Sequence, residues 1–181
     1  MLIISQNLAK YGISFPEDAI YRINLAWIDS INELIEILNK HLNQSIYLDL
    51  PIGRLKPPNN KYAIEDLLTL IKSNDHIKYF AISNVECKEN LTKYINLLPN
   101  KVRIVPKIET PKGVLDIQEI TDAIPYPEKI VMLDHDDLYT SLARVGESSK
   151  FRGYISQLVN FCEKNHIILL RIRGVIFSDE L

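Results

Sequence analysis

The chain alternates short apolar runs with longer segments in which apolar residues recur every three or four positions. Runs rich in β-branched and aromatic residues are typical of buried strands, and the three-to-four spacing is typical of amphipathic helices. Strands are predicted at residues 2–5, 20–25, 45–50, 77–83, 102–108, 129–133 and 167–172. Helical spacing is clearest over residues 31–42, 64–71, 87–98 and 151–162.

This strand–helix alternation predicts βαβ units and a parallel sheet. About seven strands are one fewer than a closed (β/α) barrel requires. The predicted fold is therefore α/β, a compact or incomplete (β/α) TIM-type barrel of about seven parallel strands. No linker or low-complexity segment divides the sequence, so residues 1–181 are predicted to form a single domain. Neither GxGxxG nor GxxxxGK[ST] occurs, so a dinucleotide-binding or P-loop fold has no support.

Composition narrows the classes of partner and location. A formal net charge of −2 without a basic excess gives no indication of a nucleic-acid partner. No apolar run approaches the length of a membrane span, and the N-terminus lacks the features of a signal peptide. Cys87 and Cys162, the only cysteines, are interpreted as reduced packing residues. We therefore expect a cytoplasmic protein that contacts neither membrane nor nucleic acid.

Charged residues follow two of the predicted strands at the ends where parallel α/β folds bind ligands. Lys107 and Glu109 are two positions apart, so their side chains share one face of the fifth strand. Asp136 and Asp137 follow the sixth strand. Carboxylate oxygens suit Mg²⁺ or Mn²⁺, and a neighbouring lysine can stabilise developing negative charge. We predict a divalent-metal site held by Glu109 and Asp137, with Lys107 as a catalytic residue.

Each feature also has an ordinary structural interpretation. A lysine and a glutamate two apart are often a surface ion pair, and two aspartates after a strand are often a turn and a helix cap. Other polar residues lie near the predicted strand ends, and their convergence favours a site. They are Arg22 and Asn24 on the second strand, Asp49 on the third, Ser83 on the fourth, Thr110 after the fifth and Arg173 after the seventh.

Five segments in this order resemble pyruvate kinase, within the phosphoenolpyruvate/pyruvate barrel superfamily. They are Tyr-Arg-Ile-Asn-Leu at 21–25, Leu-Asp-Leu-Pro at 48–51 with Gly53 and Lys56, Ile-Ser-Asn-Val at 82–85, Pro-Lys-Ile-Glu-Thr at 106–110 with Gly113, and Asp-Asp-Leu at 136–138. The family's lid and C-terminal domains have no counterpart, so the resemblance does not imply ATP-forming kinase activity.

The resemblance implies a role for each matching residue. Glu109 and Asp137 match the metal ligands, Lys107 matches the lysine that stabilises the pyruvate enolate, and Arg22 matches a phosphate-contacting arginine. Asn24 and Asp49 match monovalent-cation ligands, and Lys56 matches a basic residue on the nucleotide side. Asp136 stands where the family has a ligand-holding glycine. Arg173 stands where it has a threonine that acts in proton transfer.

Residues 108–120 with 136–138 are also similar to the HpcH/citrate-lyase β-subunit branch of this superfamily, which lacks the lid. The combined expectation is an Mg²⁺- or Mn²⁺-dependent lyase or transferase. Its substrate would be pyruvate, phosphoenolpyruvate or a related 2-oxo acid, and it would act through a metal-stabilised enolate. Catalytic residues would be Lys107, Arg22 and Arg173. Asn24, Asp49, Lys56, Ser83, Thr110 and Asp136 would bind substrate.

Two further expectations accompany this function. Departures from the family motifs at Ala26, Leu50 and Asp136 leave open a catalytically degenerate binding or assembly protein. An open barrel of seven strands exposes edges that another subunit can cover, so a homodimer is predicted.

Overall fold

The computed structural model describes residues 1–9, 16, 18–53, 58 and 60–171. Seven strands lie close to the predicted positions. They are β1 (Ile3–Ser5), β2 (Ile20–Asn24), β3 (Ile46–Leu50), β4 (Ile77–Ile82), β5 (Arg103–Ile108), β6 (Ile130–Leu133) and β7 (Ile168–Arg171).

Helices connect most of these strands. They are α1 (Gln6–Ala9), α2 (Ile31–Lys40), α3 (Ile64–Ser73), α4 (Glu89–Leu97), α5 (Pro111–Leu115), α6 (Ile117–Asp122), α7 (His135–Arg144) and α8 (Phe151–Lys164), with 3-10 turns at Leu25–Trp27 and Ser148–Lys150. The four segments with clear helical spacing are helical, as predicted. Three further helices, α5, α6 and α7, flank the carboxyl ends of β5 and β6. Thr110 and Asp134 cap α5 and α7 with their side chains.

The strands form one seven-stranded sheet in sequential order, β1 to β7, and every neighbouring pair is parallel. Parallel neighbours need a crossover, and right-handed crossovers in sequential order place all the helices on the same face of the sheet. The prediction of an α/β fold with about seven parallel strands is confirmed. This arrangement fits an incomplete barrel.

The sheet has a different apolar core on each face. The larger core joins strand residues such as Ile23, Leu48 and Phe80 to helix residues such as Leu34 and Leu158. The smaller core contains buried residues from strands alone: Ile20, Tyr47, Ala81, Val105, Ile130 and Met132. Alternate residues of a strand point to opposite faces, so these two sets interleave along the chain.

Contacts within the smaller core show that the sheet curls. The Tyr47 hydroxyl on β3 lies 3.3 Å from the Met132 sulfur on β6. Three strand spacings in a flat sheet would separate β3 and β6 by about 14 Å. Side chains from such distant strands meet at this distance only when the sheet bends towards that face. The face that carries Tyr47 and Met132 is therefore concave.

The concave face changes from apolar to polar along the strand direction. On β2, Ile20 is followed two residues later by Arg22, and on β3 Tyr47 is followed by Asp49. The same step leads from Val105 to Lys107 on β5. The apolar layer thus lies beneath the carboxyl ends of the strands, and it supports a layer of charged side chains above it.

Within the described part of the chain, β1 pairs only with β2 and β7 only with β6, so each has one edge without a strand partner. The homodimer stays a prediction.

Among the described residues, no helix is long and apolar enough to cross a membrane.

Gly113, in α5, allows a close approach between that helix and the β4–α4 connection. A Cβ atom added there would lie 2.5 Å from the backbone oxygen of Val85, whereas a Cβ at Gly153 in α8 would have nothing within 4 Å. We expect Gly113→Ala to lower the free energy of unfolding by about 1–3 kcal/mol. Gly153→Ala should leave it unchanged or raise it by up to about 1 kcal/mol. Urea denaturation of both variants measures the difference, and equal stabilities would contradict the close contact.

Candidate active site

A cavity of about 100 Å³ opens at the carboxyl ends of the strands. Its walls include Arg22 from β2, Lys107 from β5 and the first turns of α7. Three carboxylates also line it: Glu109, Asp134 and Asp137. The structure therefore brings cations and carboxylates from separate strands to one small cavity at the end of the sheet where parallel α/β proteins bind ligands.

Asp49 lies behind this cavity and pairs with two cations. Its side chain is completely buried. The Arg22 guanidinium donates to Asp49 Oδ2 through Nε, at 3.0 Å, and through Nη2. The Lys107 ammonium lies 3.5 Å from the other oxygen, Oδ1. A buried carboxylate is strongly unfavourable without such partners, so Asp49 and its two cations depend on one another.

Lys107 is buried and has three polar neighbours. Its Nζ lies 2.8 Å from Glu109 Oε1 and donates a hydrogen bond of 3.1 Å to Ser83 Oγ. Asp49 is the third neighbour. The sequence predicted that Lys107 and Glu109 share a face, and the structure places both on the concave face and buries them. They are not a surface ion pair.

The pKa values of this cluster follow from burial and charge. Burial raises the pKa of Asp49, but Lys107 and Arg22 outweigh it and hold that pKa below its ordinary value. Burial lowers the pKa of Lys107, yet Asp49 and Glu109 raise it above the ordinary value of a lysine. Glu109 differs, because burial raises its pKa more than Lys107 lowers it. The carboxylate of Glu109 is therefore less stabilised by its protein partners than that of Asp49.

Glu109, Asp134 and Asp137 can each place one carboxylate oxygen within 4.8 Å of the other two, so together they could hold a metal ion. We call these three residues the carboxylate cluster. All its ligand atoms are oxygens, which suits a hard divalent cation. The carboxylate oxygen of Glu109 that faces Lys107 has incomplete hydrogen bonding. Glu109 Oε1 is buried, and no donor of the described residues makes a hydrogen bond of normal geometry to it.

Asp134 was not predicted as a site residue. It follows β6, and its side chain accepts a hydrogen bond of 3.3 Å from the backbone N–H of Asp137, capping α7. The cap that the sequence suggested at Asp136 and Asp137 thus lies at Asp134. The signal was present, because Ile130, Met132 and Asp134 are spaced two apart and the first two belong to the concave core.

Asn84 holds the other side of Glu109. Its backbone N–H donates to Glu109 Oε2 at 2.8 Å, and its side-chain nitrogen donates to the Ile52 carbonyl at 2.6 Å. Its φ is 54°, in the left-handed region, which asparagine tolerates better than most residues. Asn84 therefore ties the loop after β3 to Glu109 of the carboxylate cluster. The motif at residues 82–85 includes Asn84, but the resemblance assigns it no role.

The remaining predicted residues lie in different positions. Ser83, Asn24 and Thr110 line the cavity. Asn24 accepts a hydrogen bond from Ala26 N at 3.0 Å, and Thr110 accepts one from Gly113 N at 3.2 Å, so both also cap local turns.

Asp136 is exposed on α7 and is not part of the cavity wall. A substrate-binding role for Asp136 therefore has no support from the cavity geometry. Lys56 and Arg173 lie outside the described residues.

The two functions of Asp134 can be separated by substitution. Asp134→Asn retains an acceptor for the α7 cap and should leave the free energy of unfolding nearly unchanged, because asparagine caps as well as aspartate. Asp134→Ala removes the acceptor and should cost about 1 kcal/mol. Thermal and urea unfolding measure both values. If Asp134→Asn destabilised the protein as much as Asp134→Ala, the cap would not be the role of this side chain in stability.

No protein-family model matches the sequence, and no curated protein shows significant similarity to it. Among solved structures, the chain is similar to RipC from Yersinia pestis, with a TM-score of 0.63 and 16% sequence identity. The similarity covers 98% of this chain and 77% of RipC. At this identity the likeness concerns the fold alone.

Proposed function

We propose that the protein is an Mg²⁺- or Mn²⁺-dependent enzyme that acts on pyruvate, phosphoenolpyruvate or a related 2-oxo acid. The observation that carries the proposal is the convergence of the carboxylate cluster with Lys107 and Arg22 at one cavity. A lyase or an enolpyruvyl or phosphoryl transferase would both use such a site. The resemblance to the phosphoenolpyruvate/pyruvate superfamily supports the choice of substrate class.

The charges around the cavity support a divalent cation. Four carboxylates, Asp49 and the carboxylate cluster, stand beside two cations, Arg22 and Lys107. Repulsion among close carboxylates is costly in a partly buried site, and a doubly charged cation removes it. The ion would lie among Glu109, Asp134 and Asp137, of which Asp134 is an addition to the predicted pair.

Arg22 and Lys107 would bind the anionic part of a ligand. Both side chains line the cavity, and the Arg22 side chain is 16% exposed while Lys107 is 5% exposed. Asp49 engages Arg22 through Nε and Nη2. The rest of the guanidinium can donate to a carboxylate or phosphate, for which the arginine fork is well suited.

The chemistry of a 2-oxo acid fits this division of charge. A divalent ion supplies Lewis acidity that stabilises negative charge on an enolate oxygen. Lys107 contributes a second positive charge close to the same region, and its hydrogen bond to Ser83 holds the ammonium beside the cavity before a ligand binds. Such pre-organised charge acts on the transition state without a cost of reorientation during the reaction. A cavity of about 100 Å³ suits a small acid.

Metal and ligand binding can be tested with two adjacent aspartates. Isothermal titration should show that Mn²⁺ binds the wild-type protein and that oxalate, a mimic of enolpyruvate, binds the Mn²⁺-loaded protein. Asp137→Asn should weaken Mn²⁺ binding by about 10–100-fold, because it removes a ligand charge. Asp136→Asn is the matched control, since Asp136 is exposed and lies outside the carboxylate cluster. Absence of Mn²⁺ binding by the wild type, or equal effects of the two substitutions, would refute the proposed site.

The reaction type requires a panel of substrates. With Mn²⁺ present, 2-oxo acids and 3-hydroxyacyl compounds that can undergo carbon–carbon cleavage are incubated with the protein, and pyruvate or acetyl release is measured. Phosphoenolpyruvate with candidate acceptors forms the second arm. We expect release in one arm and its loss in Lys107→Met, which removes the stabilising charge. Oxalate binding without turnover in either arm would instead support the degenerate binding protein.

A further inference from the structure

We propose that Asp49 is a positioning residue that receives the Lys107 ammonium from Glu109 when the carboxylate cluster holds a divalent cation. The inference rests on the cation-binding part of the proposed function and concerns a residue that contacts no ligand. Asp49 Oδ1, a buried oxygen that accepts no hydrogen bond of normal geometry from the described residues, gains a donor in this way.

Two carboxylate oxygens lie on either side of the ammonium. Glu109 Oε1 is 2.8 Å from Lys107 Nζ, and Asp49 Oδ1 is 3.5 Å from it. Both oxygens are buried, and neither accepts a hydrogen bond of normal geometry from any described residue. A buried acceptor in this state is unusual, because almost all such groups are hydrogen-bonded in native proteins. Asp49 Oδ1 is therefore an acceptor in reach of a donor that currently favours another partner.

The burial of Asp49 limits its role. Its side chain has no exposed area, and it is absent from the cavity wall, whereas both of its cationic partners are part of that wall. Arg22 occupies Oδ2 through two donors. Oδ1 can thus gain a hydrogen bond from Lys107 without any change in the Arg22 pairing. Asp49 acts through these two cations and does not touch the ligand.

Glu109 cannot serve an ammonium and a divalent cation equally well at the same time. Its Oε2 already accepts from the Asn84 backbone N–H, and its Oε1 faces Lys107. A divalent ion in the carboxylate cluster and the ammonium would repel each other across this one carboxylate. Movement of Nζ by on the order of 1 Å towards Asp49 relieves that repulsion and brings Nζ into hydrogen-bond range of Oδ1. Ser83 Oγ, 3.1 Å from Nζ, is a neighbour the ammonium can retain.

The movement also alters what the cavity presents to a ligand. With Lys107 on Oδ1 and Arg22 on Oδ2, one carboxylate holds two cations that both line the cavity. The two positive charges then stand as a fixed pair beside the ion, suited to an anionic group such as a carboxylate or phosphate. At the same time Glu109 loses its ion pair with Lys107 and can serve as a ligand of the divalent cation. Asp49 thereby links occupation of the cluster to the arrangement of the cations.

A cycle of substitutions tests this link through Mn²⁺ affinity, measured by titration calorimetry on the full chain. Asp49→Asn should weaken Mn²⁺ binding by about tenfold, within the usual range for coupled sites, because Lys107 then competes for Glu109. Lys107→Met should bind Mn²⁺ at least as tightly as wild type, and Asp49→Asn/Lys107→Met should restore affinity. Asp49→Asn/Arg22→Met is the control with the same net charge, and it should not restore affinity.

Circular dichroism and thermal melts establish that each variant is folded. Equal rescue by Lys107→Met and Arg22→Met would show a net-charge effect and overturn the proposal, as would no rescue by Lys107→Met. If Asp49→Asn does not fold, crystal structures of the wild type with and without Mn²⁺ decide. We expect the Nζ–Oδ1 distance to fall to about 2.7–3.2 Å in the Mn²⁺ form. A Lys107 ammonium that stays on Glu109 in that form overturns the proposal. Lack of Mn²⁺ binding by the wild type would instead refute the proposed function.

Discussion

The structure at the carboxyl ends of the strands depends on the pairing of buried charges. Asp49 and Lys107 come from β3 and β5, and each is held by partners on other elements. Removing one partner from such a group leaves an uncompensated charge and typically costs several kcal/mol. The strands therefore have to keep their mutual register for the charges to meet. The ion pairs that bring charged groups together in the cavity therefore also make the site sensitive to small shifts of one strand against another.

The apolar layer below makes this pairing possible. Tyr47 and Met132 meet across the concave face, and their contact accompanies a curl that brings the carboxyl ends of distant strands together. Without it, Arg22 on β2 and Asp134 after β6 would be far apart, yet both line one cavity. A substitution in the lower layer can therefore alter the charged layer without contacting it, since side chains in a close-packed interior have little freedom to adjust.

Local pattern predicts the elements well here and predicts side-chain partners less well. Strand positions follow from short apolar runs, and the shared face of Lys107 and Glu109 follows from their spacing of two. Period-two spacing also places Asp134 on the face of Ile130 and Met132, but the family motif contains Asp136 and Asp137 and not Asp134. Both motif residues lie in the first turn of α7, where Asp136 is exposed and Asp137 lines the cavity. Which of the two faces the cavity depends on the residue at which α7 begins. Sequence spacing could not show that Asp49 contacts both cations, because that depends on how β2, β3 and β5 are curled together.

The sequential order of the strands has a consequence for how the chain assembles. Each strand pairs with the one made immediately before it, so the strand pairs can form in the order in which the strands are made. During synthesis, β2 can pair as β3 emerges, and the sheet can grow from its N-terminal side. Asp134 and Asp137 emerge after most of the sheet has been made. The carboxylate cluster is therefore completed late, on a surface that its earlier neighbours have already shaped.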